Sequence, residues 1–381
     1  MAKYTCEKCG KEFNQRFHYT THLNKKNPCI AESKIVKEKL IENKIIYNNK
    51  LVKHTVSIGN DTKKIKPILK WVGGKTQIID KLIAEFPIEI NNYREIFLGG
   101  ASVLLTLLSY VKDGIITIHG NIYAYDLNEP LIYIYKNIQT NHDDLYNEIQ
   151  KLITDFNSCA SEGGESLPKG RDRTPKNIDE AKISKENYYY WIRSEYNKLN
   201  FTDKKTQLNI IKLSAMFIFL NKTCFRGVFR VGPNGFNVPY GHYNNPKIIN
   251  KEHLNEVHEL IKSLPSGGSV IFECCDFNTS LNNIEPNDYI YLDPPYAPET
   301  DTSFVGYTKN GFNIDNHNNL FKLIHTLTET NKKMMLSNAD VSLVRDNFTN
   351  EKYNITSILC KRAINSKNPE AKAKEVIIKN Y

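Results

Sequence analysis

The chain has 381 residues, more than the roughly 250–300 at which a single core stops growing, so more than one structural unit is expected. Hydrophobic residues at 40% and charged residues at 24% exclude wholesale disorder, and the formal net charge of +9 favours a polyanionic partner. No run approaches the roughly 18 apolar residues of a membrane-spanning helix and the opening MAKYTCEKCG carries no apolar secretory segment, so a soluble, intracellular protein without membrane contact is expected.

The first thirty residues predict a small metal module. Of the eight cysteines, Cys6, Cys9 and Cys29 crowd into the first 29 residues while the rest scatter, a pattern of metal ligation and buried thiols rather than of a disulfide framework. Two residues separate Cys6 from Cys9 and twelve separate Cys9 from His22, the spacing of a ββα zinc finger, with Phe13 and Tyr19 where its small core belongs. Cys29 stands in for the expected second histidine, giving the tetrahedral set Cys6, Cys9, His22 and Cys29, with His18 as the alternative fourth ligand. A metal-free hairpin is the competing reading, but so short a segment has too little core to fold without a staple. Residues 31–66 are polar and lysine-rich, with Val36, Leu40, Ile41, Ile45 and Ile46 loosely spaced as on one helix face; this predicts a partly helical linker.

From Pro67 onward, apolar runs punctuated by glycine predict an α/β sheet domain spanning 67–381. In Leu69–Lys75, paired glycines allow a close backbone approach to a ligand, Lys75 offers a cation and Trp71 a stacking surface; a plain turn is the alternative. Next, Tyr93–Val103 reads as a strand running through Gly99 and Gly100 into a helix, whose first amides would face a ligand. The following strand, Ile122–Asp126, ends in an acid placed to bond a ribose hydroxyl pair, although the dinucleotide pattern G-x-G-x-x-G is absent. Val270–Phe277 is an apolar strand ending in Asp276 and Phe277, suited to an adenine amine and ring, or an ordinary strand end.

The most specific segment is Asp288–Tyr296, a buried strand that delivers Asp293-Pro294-Pro295-Tyr296 at its carboxyl edge. Two prolines fix the backbone, so the Asp293 carboxylate and the Pro294 carbonyl can address one small group with little freedom left to lose.

Taken together, these segments resemble the S-adenosylmethionine-dependent amino-methyltransferases, and within them the Dam-type DNA adenine methylases of the alpha motif order. Phe219–Lys222, Gly235–Gly241, Phe304–Tyr307, Leu336–Asp340 and Lys361–Ile364 are similar to further stretches of that family. The resemblance implies a Rossmann-like sheet with a mostly helical target-recognition insert at 131–247. It implies that Trp71 and Lys75 contact the methionine end of the cofactor while Glu95, Phe97 and Gly99 shape its pocket. Asp126 would hold the ribose, Asp276 and Phe277 the adenine, and Asp293, Pro294 and Tyr296 the substrate base. Arg230, Asn237, Pro239, Tyr240, Tyr307 and Arg362 would face DNA. Three departures stand out: Ala101 replaces the usual second glycine of the cofactor loop, Ile96 replaces the usual proline after its acid, and Gly232 replaces an asparagine near Arg230, leaving the target sequence open.

The implied reaction is methyl transfer to N6 of an adenine flipped out of duplex DNA, by direct displacement and without a catalytic metal. Cytosine-N4 methylation is the alternative within enzymes, since both bases offer a similar amine to Asp293. A zinc-finger regulator with an inactive methylase domain is the alternative outside them. Within the insert, Tyr189 and Trp191 are expected in the helical core, and 158–176 as a loop. A monomer or weak dimer is expected.

Overall fold

The computed structural model describes residues 4–6, 12–23, 62–160, 174–202, 205–282, 284–298, 311–361 and 372–381. The chain divides into two compact units, Met1–His54 and Thr55–Tyr381.

In the first unit, β1 (Tyr4–Thr5) pairs antiparallel with β2 (Glu12–Phe13), and the helix Arg16–Leu23 follows. This is the hairpin-then-helix order expected from the cysteine and histidine spacing. Cys6 is buried, and the Phe13 ring lies 4.9 Å from that of His22 and 6.1 Å from that of Tyr19. Cys9, Cys29 and most of the linker lie outside the described residues, among which there is no group of three metal-ligating side chains.

The second unit is built on a seven-stranded sheet. In chain order the two short strands β3 (Glu89–Ile90) and β5 (Thr117–Ile118) flank β4 (Tyr93–Glu95) and precede β6 (Ile122–Asp126). A two-residue hairpin, β7 (Val231–Gly232) and β8 (Gly235–Phe236), comes next. Then follow β9 (Val270–Cys274), β10 (Tyr289–Leu292), β11 (Lys333–Ala339), β12 (Asn354–Lys361) and β13 (Lys372–Lys379).

The sheet order is β9-β6-β4-β10-β11-β13-β12. The first five strands are parallel, and β13 runs antiparallel to both of its neighbours, β11 and β12. The reason is local: β10 is Tyr-Ile-Tyr-Leu, buried at every position, as a central parallel strand covered on both faces must be. From β4 the chain first moves to β6 and β9 on one side and later to β10 and β11 on the other. The carboxyl ends of β4 and β10 therefore border a topological switch point, where a crevice opens in such sheets.

Side-chain caps set the helix starts: Asn128, Ser184, Thr206, Asn250 and Asn313 each accept a backbone N–H from the first turn, and Asn313 forms a reciprocal capping box with Asn316. Helix Glu129–Thr140 covers the sheet, stacking Tyr135 on Phe272 at 5.4 Å and donating Gln139 Nε2 to the Val270 carbonyl. Residue 131 therefore falls inside a helix of the sheet layer. Helices His142–Ser158, Ile178–Lys182, Lys185–Asn200 and Gln207–Thr223 supply the mostly helical segment between β6 and β9, and share one apolar core with the sheet. Tyr189 is fully buried there and donates its hydroxyl to the Val238 carbonyl at 2.8 Å, while Trp191 packs partly buried against the same core.

Candidate active site

At the switch point lies a cleft of about 320 Å³. It gathers Trp71, Lys75, Glu95, Phe97, Gly99, Asp126, Asp276, Phe277, Asp293, Pro294 and Tyr296, every residue expected at the cofactor or the reacting base.

Strand register explains the assembly. Glu95 pairs with Tyr291 and with Ala124, so the segments leaving β4, β10 and β6 emerge side by side. The segment after β4 stays wedged between its neighbours, Ile96 donating to the Tyr291 carbonyl and Leu98 to the Tyr125 carbonyl. Asp126, at the end of β6, accepts from Gly99 N and Asn128 N, each at 2.9 Å. Burial raises its pKa, an effect these backbone donors oppose.

Lys75 and Asp293 form the polar centre. Lys75 is 4% exposed; its Nζ lies 2.6 Å from Asp293 Oδ2, donates to the Gly73 carbonyl, and sits 4.9 Å from the centroid of the Tyr296 ring. Asp293 Oδ1 is buried and has no hydrogen-bond partner among the described residues. Burial pushes the Asp293 pKa up to about 6, against the lowering influence of Lys75. Glu95 is pushed further, to about 8, by burial first, partly opposed by a 2.8 Å hydrogen bond from the Tyr93 hydroxyl.

The cleft also carries an aromatic group. Phe97, Phe277 and Phe312 stand with ring centroids 5.7 to 6.1 Å apart, and Asn316 joins them in the lining. Phe312 and Asn316 were not read from the sequence; an aromatic one residue ahead of an Asn-x-x-Asn cap was the available signal. Asp276 caps the short helix Phe277–Ser280, accepting from Asn278 N and Thr279 N. Although burial raises its pKa, the bonds from Thr279 and Asn278 outweigh this and lower it.

The expected stacking face of Trp71 is engaged within the protein. Its indole stacks on Phe229 at 5.4 Å, a Cβ added at Gly99 would lie 2.9 Å from that indole, and one added at Gly100 would lie 2.8 Å from the Trp71 Cβ. This indole seats the segment 225–241 beside the cleft, helped by Asn221, which bonds both backbone polar groups of Lys70 and the Gly227 carbonyl. On that segment Arg230, Asn237 and Pro239 are exposed, with Arg230 Nε donating to Asn237 Oδ1 at 2.7 Å. Tyr240, by contrast, is 4% exposed and packs on Phe156 and Tyr189, so its ring belongs to the core and not to the exposed rim. Exposed Phe225, beside Arg226 in a left-handed conformation (φ 58°), is a feature the sequence did not reveal. Tyr307 and Arg362 lie outside the described residues.

Two supports hold the Asp-Pro-Pro-Tyr loop from the far strands. Asn338 Oδ1 accepts from Ala297 N at 3.0 Å and Ala339 N at 2.8 Å, and Glu375 Oε2 accepts the Tyr296 hydroxyl at 2.8 Å.

A mostly parallel sheet whose carboxyl edge carries this acidic and aromatic cleft defines an α/β enzyme of the methyltransferase type. Residues 71–364 match the family described as D12 class N6 adenine-specific DNA methyltransferase, and the chain belongs to it. It is 35% identical over 328 residues to the type II methyltransferase M.MjaIII of Methanocaldococcus jannaschii, an alignment covering 84% of this chain and 100% of that one. It is 27% identical over 322 residues to the DNA adenine methylase of Haemophilus influenzae, covering 82% and 93% of the two chains. With that of Escherichia coli K12 it shares 24% identity over 321 residues, covering 84% and 96%. The protein is thus an adenine-specific DNA methyltransferase. Among the described residues no helix is long and apolar enough to cross a membrane.

Proposed function

We propose that the enzyme methylates N6 of an adenine flipped out of duplex DNA, by direct displacement, with S-adenosylmethionine as donor. The observation that carries this reading is the buried, unpartnered Oδ1 of Asp293. An orphaned carboxylate oxygen in a cleft is costly unless a donor arrives, and an exocyclic amine is such a donor.

The cleft fits the donor molecule. Its volume falls within the range of small-molecule sites, and its lining offers three aromatic rings for a purine together with carboxyls and an ammonium for a zwitterionic amino acid. Trp71, Lys75, Glu95, Phe97 and Gly99 would hold the methionine portion, Asp126 the ribose, and Asp276 and Phe277 the adenine. When bound, S-adenosylmethionine supplies a methyl group activated by its sulfonium charge.

The protein's part is to make a poor nucleophile effective. Asp293, pinned through Oδ2 by Lys75, accepts a hydrogen bond from one amine N–H on Oδ1 and the Pro294 carbonyl accepts one from the other, drawing the nitrogen toward tetrahedral geometry with its lone pair free; once N6 has gained the methyl group it sheds its surplus proton to solvent. Tyr296 supplies a face on which the extruded base stacks, offsetting the stacking lost from the duplex. Arg230, Asn237 and Pro239 are exposed on a segment seated beside the cleft, which supports a DNA-facing role; Tyr307 and Arg362 are assigned to the same role from sequence.

We assign the N-terminal ββα unit to a zinc finger with ligands Cys6, Cys9, His22 and Cys29, which adds DNA affinity. Its hairpin-helix order and the Phe13, Tyr19 and His22 ring contacts support this. The testing experiment is sequencing for methylated adenines in DNA from a methylase-negative host that expresses the protein; unmodified adenine throughout would overturn the reading.

A further inference from the structure

We infer that Glu375, on β13, is a positioning residue for base capture: it tethers the hydroxyl of Tyr296 and so holds that ring as a fixed platform beside Asp293. The inference rests on the function proposed above, and nothing in the motif region itself points to it.

A ring that stacks a base needs its face, not its hydroxyl; phenylalanine would stack as well. The Tyr296 hydroxyl is nevertheless used, donating to Glu375 Oε2 at 2.8 Å. Tethering the far end of a side chain fixes both of its torsions, which a Pro-Pro backbone alone cannot do. The ring so held lies 4.9 Å from Lys75 Nζ, the cation that orients Asp293, so platform and carboxylate are set against each other.

The tether is itself anchored. Glu375 lies opposite Ala339 on β11 and Ile358 on β12, and also bonds the thiol of Cys360. It therefore sits between two ladders of strand hydrogen bonds, and its carboxyl has little freedom to follow a wandering tyrosine. One residue along β11 from Ala339, Asn338 holds Ala297 N. The loop is thus gripped at two successive residues, by backbone at Ala297 and by side chain at Tyr296.

The charge of Glu375 also acts on Asp293, against that of Lys75 from the glycine loop, while Asp293 in turn raises the pKa of Glu95 on β4 and of Tyr291 and Tyr296 on its own segment. Glu375 raises the Asp293 pKa. Neutralising it lowers that pKa and extends activity to more acidic solution.

The test is a cycle of Tyr296→Phe, Glu375→Ala and their combination in the full chain, with methyl transfer to duplex DNA measured over a range of cofactor concentrations up to saturation. Both single variants should lose roughly tenfold in kcat with little change in the KM for the cofactor, and the double variant should match either single. Glu375→Gln, which keeps an accepting oxygen, should recover most of the rate and shift the acid limb of the pH profile downward. Multiplying losses in the double variant, or a normal rate for Glu375→Ala, would overturn the inference. If Glu375→Ala does not fold, an unmoved acid limb in Glu375→Gln does the same. Absence of adenine methylation by the unaltered enzyme would sink the underlying reading instead, so the two failures are distinguishable.

Discussion

Lys75 and Asp293, from the first and the last of the sequence segments that build the cleft, close to 2.6 Å and leave the second oxygen of Asp293 buried and unpartnered. The cation satisfies one lone-pair site and orients the other. Replacing Asp293 by Ala should reduce kcat by roughly 10²–10³-fold, in the range seen when one preorganised polar group is removed from a reacting centre. Binding to duplex DNA, measured by fluorescence anisotropy, should stay within about threefold, because the phosphate contacts that dominate affinity lie elsewhere.

Asp293 must accept a hydrogen bond, so it must be ionised. With its pKa raised to about 6, kcat/KM should be level above that value and fall toward a tenfold loss per pH unit below it. A profile still flat at pH 5 would show that Asp293 does not act as an ionised acceptor.

Glu95 gives the opposite kind of pH signal. Its pKa in the folded protein is about 8 against 4.5 ordinarily, so between these values the folded chain holds a proton that the unfolded chain has released. Its contribution to stability therefore falls as pH rises through that window. Glu95→Gln should raise the Tm of the ligand-free protein at pH 8 by several degrees and leave it nearly unchanged at pH 5. Because the same carboxyl is assigned to the methionine end of the donor, this variant should also bind S-adenosylmethionine more weakly in calorimetry.

Gly99 and Ala101 both adopt left-handed backbone, with φ of 48° and 58°. A Cβ at Gly99 would also meet the Trp71 indole at 2.9 Å, so Gly99→Ala should cost about 1–3 kcal/mol and shift the emission of Trp71, one of two tryptophans. Ala101 already bears the strain. Converting it to Gly trades that strain against a buried methyl and greater unfolded-chain freedom, and should change stability by less than about 1 kcal/mol in denaturant titration.

If the N-terminal unit is a zinc finger, purified protein should carry about one zinc per chain, and a chelator should melt that unit alone. DNA affinity should fall, while kcat at saturating DNA persists. Cys9→Ser should behave as the chelated protein does; loss of all activity would mean that the two units do not function separately.

The cleft was legible in sequence wherever chemistry and backbone constraint coincide, as in Asp293-Pro294-Pro295-Tyr296, the Gly99-Gly100 turn, the terminal acid of β6 and the acid Asp276 just beyond β9. Such residues declare themselves because few other uses exist for them in that order. Trp71 was half legible: it lines the cleft, but its ring is also the seat of the segment 225–241, a packing relation no local pattern records. Tyr240 was read as facing DNA from its neighbours, yet burial among Phe156 and Tyr189 claims its ring. Glu375 and Phe312 were illegible because their value comes from strand order and from a distant helix cap. The ion pair of Arg94 with Asp288, 2.9 Å apart and buried beneath the site, was hidden for the same reason, since neither partner signals the other.

The strand order also constrains the sequence of events by which the catalyst comes into being. β13 follows β12 in the chain yet lies between it and β11, so β12 has no sheet edge to join until its successor has been made and threaded into place. Until then Tyr296 has no tether and a nascent polypeptide emerging from the ribosome, though it already contains every motif residue, holds an unfinished platform. Competence is thereby tied to the arrival of β13, and a product truncated ahead of it should mark a genome more slowly than the full chain.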